Sequence, residues 1–92
     1  MAERVQAKSP HTITLRQMRI FLLTVENASA SAAARRLGVS QSAVSQQLLE
    51  MERNLRVPLF ERAGIRMLPT QAARALIDPV RQALAAADRI EP

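Results

Sequence analysis

The stretch from Ala33 to Leu55, reading AARRLGVSQSAVSQQLLEMERNL, constrains the fold more than any other part of the chain. It divides into two helical segments at a tight turn around Gly38. In the second segment Val44, Leu48, Met51 and Leu55 recur at helical spacing and form an inward face. The opposite face is polar but uncharged: Gln41, Ser42, Ser45 and Gln46. Short hydroxyls and amides suit hydrogen bonding to flat polar edges, such as base edges at the floor of a groove. A face of Lys and Glu would suit bulk water instead. The arrangement predicts a helix-turn-helix whose second member is the recognition helix.

The flanking sequence supplies the punctuation. Met1 to His11 is polar and aperiodic and reads as a loose lead-in. Thr14 and Gln17 have capping-box spacing, which predicts a first helix from Leu15 to about Asn27. Its inward face is expected to be Leu15, Met18, Phe21, Leu22 and Val25, with Arg16, Arg19 and Glu26 left wet. Asn27 to Ser29 reads as a turn, with Ser29 capping a short alanine-rich helix that ends at Leu37. Gly38 fits the left-handed position after a helix, and Ser40 caps the next helix, Gln41 to about Asn54.

Pro58 stops helical continuation. Leu59 to Arg62 and Arg66 to Leu68 are short extended runs around Ala63-Gly64-Ile65, and predict a small hairpin. Thr70 caps a last helix reaching about Arg89. That helix carries an apolar series at alternating spacings of three and four: Ala73, Leu76, Val80, Ala83, Ala87 and Ile90, widened by Ile77 and Leu84. Pro79 interrupts it. The expectation there is a kink near Ala75 to Pro79, or a helix that starts only near Asp78. A body of three short helices is expected to cover only the first part of the stripe. A second copy of the chain would then cover Leu76, Val80, Ala83, Leu84 and Ala87.

Length and charge bound the function. Ninety-two residues make one small domain of modest core. The net charge of +5 is carried almost entirely by arginine, whose planar fork suits phosphate. There is no cysteine and one histidine, His11, so neither a disulfide nor a metal cluster is expected. No apolar run is long enough to span a bilayer and no signal peptide is apparent, so a cytoplasmic protein without a membrane role is expected. Two phenylalanines are the only aromatics, too few for a single-strand stacking platform. No nucleophile–base pair or phosphate loop is visible, so no enzyme and no cofactor are expected. Glu50 and Glu52 read as charge balance on an outer helix face.

The residues from LRQMRIFLLTVENASASAAARRLGVSQSAVSQQLLEMERNLRVPLFER through PTQAA resemble the DNA-binding domain of LysR-type transcriptional regulators. The likeness covers about Leu15 to Ile90. Its most specific parts are the AA-x-x-L-x-V-S-Q-S-A-V-S core, Met51-Glu52 and Val57-Pro58-Leu59-Phe60-Glu61-Arg62. The resemblance implies a mainly α fold: a winged helix-turn-helix with a three-helix core and small β-hairpin wing, followed by a long linker helix that dimerises. It divides the chain into a lead-in (1–13), a DNA-binding domain (14–70) and a linker helix (71–92). The implied function is double-stranded DNA binding by a dimeric regulator. A small-molecule inducer is expected only where a C-terminal effector domain is present. The alternative is a helical protein-interaction module that works through the last helix.

Within that resemblance Gln41, Ser42, Ser45 and Gln46 are the expected base contacts, although their composition also fits a plain solvated face. Ser29, Ser31 and Arg36 are expected at phosphates, with Arg35 and Arg36 equally readable as a solubilising pair. Arg62 fits either a phosphate or an ion pair with Glu61 or Glu52. Arg66 fits the minor groove or simple phosphate screening. Leu49 either meets a thymine methyl or, the favoured reading, covers a neighbouring helix. Several positions depart from the family pattern. Ala28 and Arg56 stand where glycine is common, Ala30 where phenylalanine is common, Gln46 where arginine is common, and Ile65 where a basic residue is common. Pro69 and Ala73 replace the Leu and Gly of a frequent L-T-x-A-G pattern.

Overall fold

The computed structural model describes residues 12–90; the lead-in assigned to Met1–His11 lies outside them. Helices α1 (Leu15–Asn27), α2 (Ala30–Leu37) and α3 (Gln41–Leu55) are followed by strands β1 (Phe60–Ala63) and β2 (Arg66–Pro69) and by helix α4 (Gln71–Ile90). The architecture is mainly α, a winged helix-turn-helix with a C-terminal helix.

Each start signal works as the local chemistry requires. Thr14 Oγ1 accepts from Gln17 N–H at 3.0 Å, and Thr14 N–H donates to Gln17 Oε1 at 3.2 Å, completing the capping box. Ser29 and Ser40 hydroxyls accept from Ala32 N–H and Ala43 N–H. Thr70 Oγ1 accepts from Ala73 N–H at 3.2 Å at the start of α4. Gly38 ends α2 in the left-handed region, with φ 71°.

Two non-glycine residues also sit there: Ala28 at φ 53° and Arg56 at φ 60°. Each stops a helix, α1 and α3, by turning the chain left-handed. A side chain in that conformation costs roughly 1–2 kcal/mol. The departures from glycine seen at these two positions are therefore placed where the backbone most favours glycine.

The core joins all elements around Ile20, Phe21, Ala33, Val44, Met51, Leu59 and Ala73, each fully or nearly fully buried. Ala30, Ala33 and Ala34 let α2 lie close against its neighbours. The Phe21 and Phe60 rings meet at 5.8 Å between centroids, tying β1 to α1. The buried line of α1 is not the expected one. It runs through Gln17, Ile20, Phe21 and Thr24, with Met18, Leu22 and Val25 half-buried and Leu15 exposed. Polar Gln17 and Thr24 enter because local bonds satisfy them; Thr24 Oγ1 donates to the Ile20 carbonyl at 2.8 Å.

Two expectations about α4 are corrected. It runs from Gln71 to Ile90 with Pro79 inside it, so the alternative of a start near Asp78 falls. Pro79 and Ala75 both lie on its exposed side, so water can serve the Ala75 carbonyl that proline leaves without a donor. The body also covers more of α4 than expected. Val80, Leu84 and Ala87 are only 6%, 7% and 8% exposed within the single chain. Arg19 pairs with Asp88 at 3.3 Å and Arg81 with Glu26 at 3.6 Å, so α4 runs antiparallel along α1. Leu76 and Ala83 are half-buried and Ile90 is exposed.

The hairpin pairs Phe60 with Pro69, Glu61 with Leu68, Arg62 with Met67 and Ala63 with Arg66. Ala63 is therefore a strand residue, and the turn is Gly64-Ile65 alone. Arg56→Gly is expected to stabilise the domain by about 0.5–1 kcal/mol, because relief of left-handed strain outweighs glycine's extra unfolded-state entropy. Thermal unfolding should show a rise of several degrees; a fall would contradict the strain assigned to Arg56.

Candidate nucleic-acid interface

Helix α3 is held by its aliphatic side. Val44, Leu48 and Met51 are buried, and Leu55 is half-buried. That seal fixes the rotation of the helix and turns the opposite side outward. Gln41, Ser42 and Gln46 are exposed and Ser45 is half-buried. No charged residue occurs between Gln41 and Leu49, so this surface offers amides and hydroxyls only. Ser40 Oγ and Ser42 Oγ lie 3.2 Å apart and share a hydrogen bond, which orients the Ser42 hydroxyl beside the cap.

Leu49 continues this side and is 54% exposed. The expectation that it covers a neighbouring helix is corrected. It stands at the mouth of a cleft between α3 and the hairpin, lined also by Ser45, Glu52, Phe60, Arg62 and Met67. The cleft brings Ser45 and Arg62 onto one surface.

Strand alternation separates the two hairpin arginines. Arg62 lies opposite Met67, on the face of the hairpin that includes Phe60 and turns to α3. Arg66 is the next residue along, so it projects from the other face with Ala63, beside the turn. Both are exposed. Arg62 forms no ion pair with Glu61 or Glu52, which leaves its guanidinium available to a ligand. At the tip, Gly64 takes φ 65° and Ile65 is 93% exposed.

Glu52 is more than charge balance, and the earlier reading of it is corrected. Its Oε2 accepts from the backbone N–H of Leu59 at 2.7 Å. Leu59 is fully buried. A carboxylate on α3 thereby fastens the base of the hairpin to that helix. Sequence spacing gave no sign of this, because the bond joins a side chain to a backbone group beyond a turn.

Ser29 and Ser31 are half-buried, with hydroxyl oxygens 3.5 Å apart, and Ser29 is occupied as the cap of α2. They stand near the hairpin, because the adjacent Ala28 carbonyl accepts from Met67 N–H at 3.0 Å. Arg36 is exposed at the other end of α2, where Arg35 and Arg36 also complement the negative end of the helix dipole. The structure thus groups Gln41, Ser42, Ser45, Gln46, Leu49 and Arg62 around α3. Ser29, Ser31 and Arg66 lie toward the hairpin's second strand, and Arg36 is in the last turn of α2, ahead of the turn into α3.

Among the described residues no cluster of His, Asp or Glu is placed to hold a metal ion, and no helix is long and apolar enough to cross a membrane. Residues 15–74 match the family described as bacterial regulatory helix-turn-helix protein, lysR family. The HTH-type transcriptional regulator CbbR of Rhodospirillum rubrum is 47% identical over 72 residues, covering 78% of this chain and 24% of the relative. The HTH-type transcriptional regulator AceR of Acinetobacter baumannii is 42% identical over 72 residues, with the same two coverages of 78% and 24%. The chain thus spans about a quarter of the length of these curated relatives. Among solved structures, a CbnR_DBD-DNA complex superposes with a TM-score of 0.80 at 34% identity, covering 84% of this chain and 88% of that one. A peroxide-bound OxyR mutant from Corynebacterium glutamicum gives 0.85 at 32% identity, covering 89% of this chain and 26% of that one.

Glu52→Ala is expected to cost about 1–3 kcal/mol, since it leaves the buried Leu59 N–H without an acceptor. Glu52→Gln, which keeps an acceptor oxygen, should lose clearly less. Denaturant unfolding of both variants checks this; equal losses would contradict the role given to the Glu52 acceptor.

Proposed function

The chain belongs to the lysR family of bacterial regulatory helix-turn-helix proteins, and from that premise we propose that it binds double-stranded DNA sequence-specifically as part of a transcriptional regulator. The observation that carries this reading is the outward, uncharged amide-and-hydroxyl side of α3 beside an arginine-bearing wing. The DNA complex of the similar CbnR domain supports it.

In this mechanism α3 enters the major groove by its N-terminal end. Gln41, Ser42, Ser45 and Gln46 meet base edges. Glutamine can bond adenine through its N6 and N7 together, whereas arginine favours guanine. Gln46 thus gives this chain a base preference of its own. Arg62, on the cleft side of the wing, holds a phosphate close to the recognition helix. Arg66, on the other face, reaches the flanking minor groove. Ser29 and Ser31 accept or donate at a phosphate near the start of α2, and Arg36 adds charge at its far end. Phosphate contacts supply most of the affinity and make it salt-dependent; base contacts supply preference. No step calls for a cofactor or catalysis.

Residues 14–70 form the DNA-binding unit in this reading and 71–92 the linker helix. Two copies pair through α4. Val80, Leu84 and Ala87 already face the chain's own body. They shape and support the helix, and Leu76, Ala83 and Ile90 offer the surface left for a mate. The same inward burial weakens the reading of α4 as a docking face for an unrelated protein. The setting is the cytoplasm, where chromosomal DNA is accessible. An inducer enters this reading only where a C-terminal effector domain is present.

Gln46→Ala is expected to cost roughly 1–3 kcal/mol at one base pair of each half-site and to spare nonspecific binding. Titration of the preferred duplex and of its single-base variants checks this. An equal loss on every sequence would make Gln46 a phosphate contact rather than a reader.

A further inference from the structure

The directional bonds that tie the hairpin to the body are unevenly placed. At the base, Leu59 N–H donates to Glu52 of α3, while Thr70 N–H to the Leu59 carbonyl at 3.0 Å and the Thr70 hydroxyl to the Pro58 carbonyl at 2.8 Å close the two ends of the hairpin on each other. Nearer the tip, one hydrogen bond among the described residues crosses to the helical body: Met67 N–H to the Ala28 carbonyl, at 3.0 Å. Beyond Met67 come Arg66 and the exposed turn.

The hairpin register explains why that N–H is free to leave. With Gly64-Ile65 as a two-residue loop, Ala63 and Arg66 form the hydrogen-bonded pair next to it. Arg62 and Met67 are then a non-hydrogen-bonded pair, so Met67 N–H points out of the ladder. By the same alternation Pro69, opposite Phe60, needs no N–H. Ala28 completes the arrangement with φ 53° and ψ 32°. A right-handed continuation would leave its carbonyl along the axis of α1. The left-handed turn swings it aside to Met67.

We propose that Ala28 is a positioning residue for the wing: its left-handed backbone holds Met67 and so fixes where Arg66 stands relative to α3. Arg66 is one residue from the tie, about 3.3 Å along the strand, so a shift of the tie is passed to it almost undiminished. The geometry is a property of the free protein. Its consequence, a fixed spacing between the bases met by α3 and the flank met by Arg66, rests on the DNA-binding reading.

Two variants of one residue isolate the bond. Met67→Pro deletes the N–H at a position the hairpin ladder does not use. Met67→Ala shortens the side chain but keeps the N–H. The chain has no cysteine, so Ile65→Cys and Glu50→Cys provide a unique pair of spin-label sites on the wing tip and α3. In the free protein, the label-to-label distance should be narrow with Met67→Ala and clearly broader or displaced with Met67→Pro. Matching distributions would overturn the proposal. On a duplex, Met67→Pro should lower the slope of log affinity against log salt by about one relative to Met67→Ala, the loss of one arginine contact; an unchanged slope would overturn the DNA consequence. Should Met67→Pro fail to fold, amide exchange in the otherwise unaltered chain decides. Met67 should exchange at least about tenfold more slowly than the exposed turn amides, and exchange at their rate would overturn the tie. If the unaltered chain binds no duplex, the DNA reading falls while the free-protein measurements still decide the role of Ala28.

Discussion

The rotation of α3 about its own axis is the constraint on which the site depends. Burial of Val44, Leu48 and Met51 sets it. Successive helical residues are about 100° apart, so a turn of one residue would bring Gln41 or Ser45 into the core and push an aliphatic side chain into water. Burying a Val, Leu or Met side chain is worth roughly 1.5–3 kcal/mol, and three together far exceed any single polar contact on the other side. Packing therefore chooses the orientation, and the outward polar surface is what packing leaves over. Ala33 and Ala34 contribute by being small, since α2 can then lie close enough to help close the seal.

The wing is fastened differently, by a few hydrogen bonds, one ring contact and the half-buried Phe60 and Met67 packed on the core. Phe60 against Phe21 and Glu52 against Leu59 secure its base. Among the described residues, the Ala28 carbonyl supplies the one hydrogen bond from the helical body nearer its tip. A hairpin of four-residue strands has little burial of its own to hold it. Its base is thus placed by α1 and α3, and Met67 nearer the tip is tied to the turn between α1 and α2. Alternation along the strands then sets its two arginines on opposite faces, Arg62 toward α3 and Arg66 away from it.

Much of this was legible in the residues. Thr14, Ser29, Ser40 and Thr70 are caps that act within three residues of themselves, so spacing alone finds them. Gly38 and Pro58 punctuate for equally local reasons. The aliphatic line of α3 is clear because one side of that helix is buried and the other is not. Helix α1 was harder, being packed against α2, α3 and α4 around much of its circumference. Its most buried line includes Gln17 and Thr24, whose polarity is cancelled by bonds a hydropathy pattern does not show. Glu52 and Ala28 were invisible as anchors, because each acts through backbone groups distant in sequence. The cover that α1 gives to Val80, Leu84 and Ala87 depends on how two helices cross, which periodicity does not specify.

The most direct measurement is selection of bound duplexes from a fully randomised library by this protein. The account predicts enrichment of an inverted repeat, with half-sites one or a small number of helical turns apart and a defined base at the position facing residue 46 in each. Recovery of random sequence, held only by a salt-sensitive attraction, would show that the outward side of α3 meets water rather than bases.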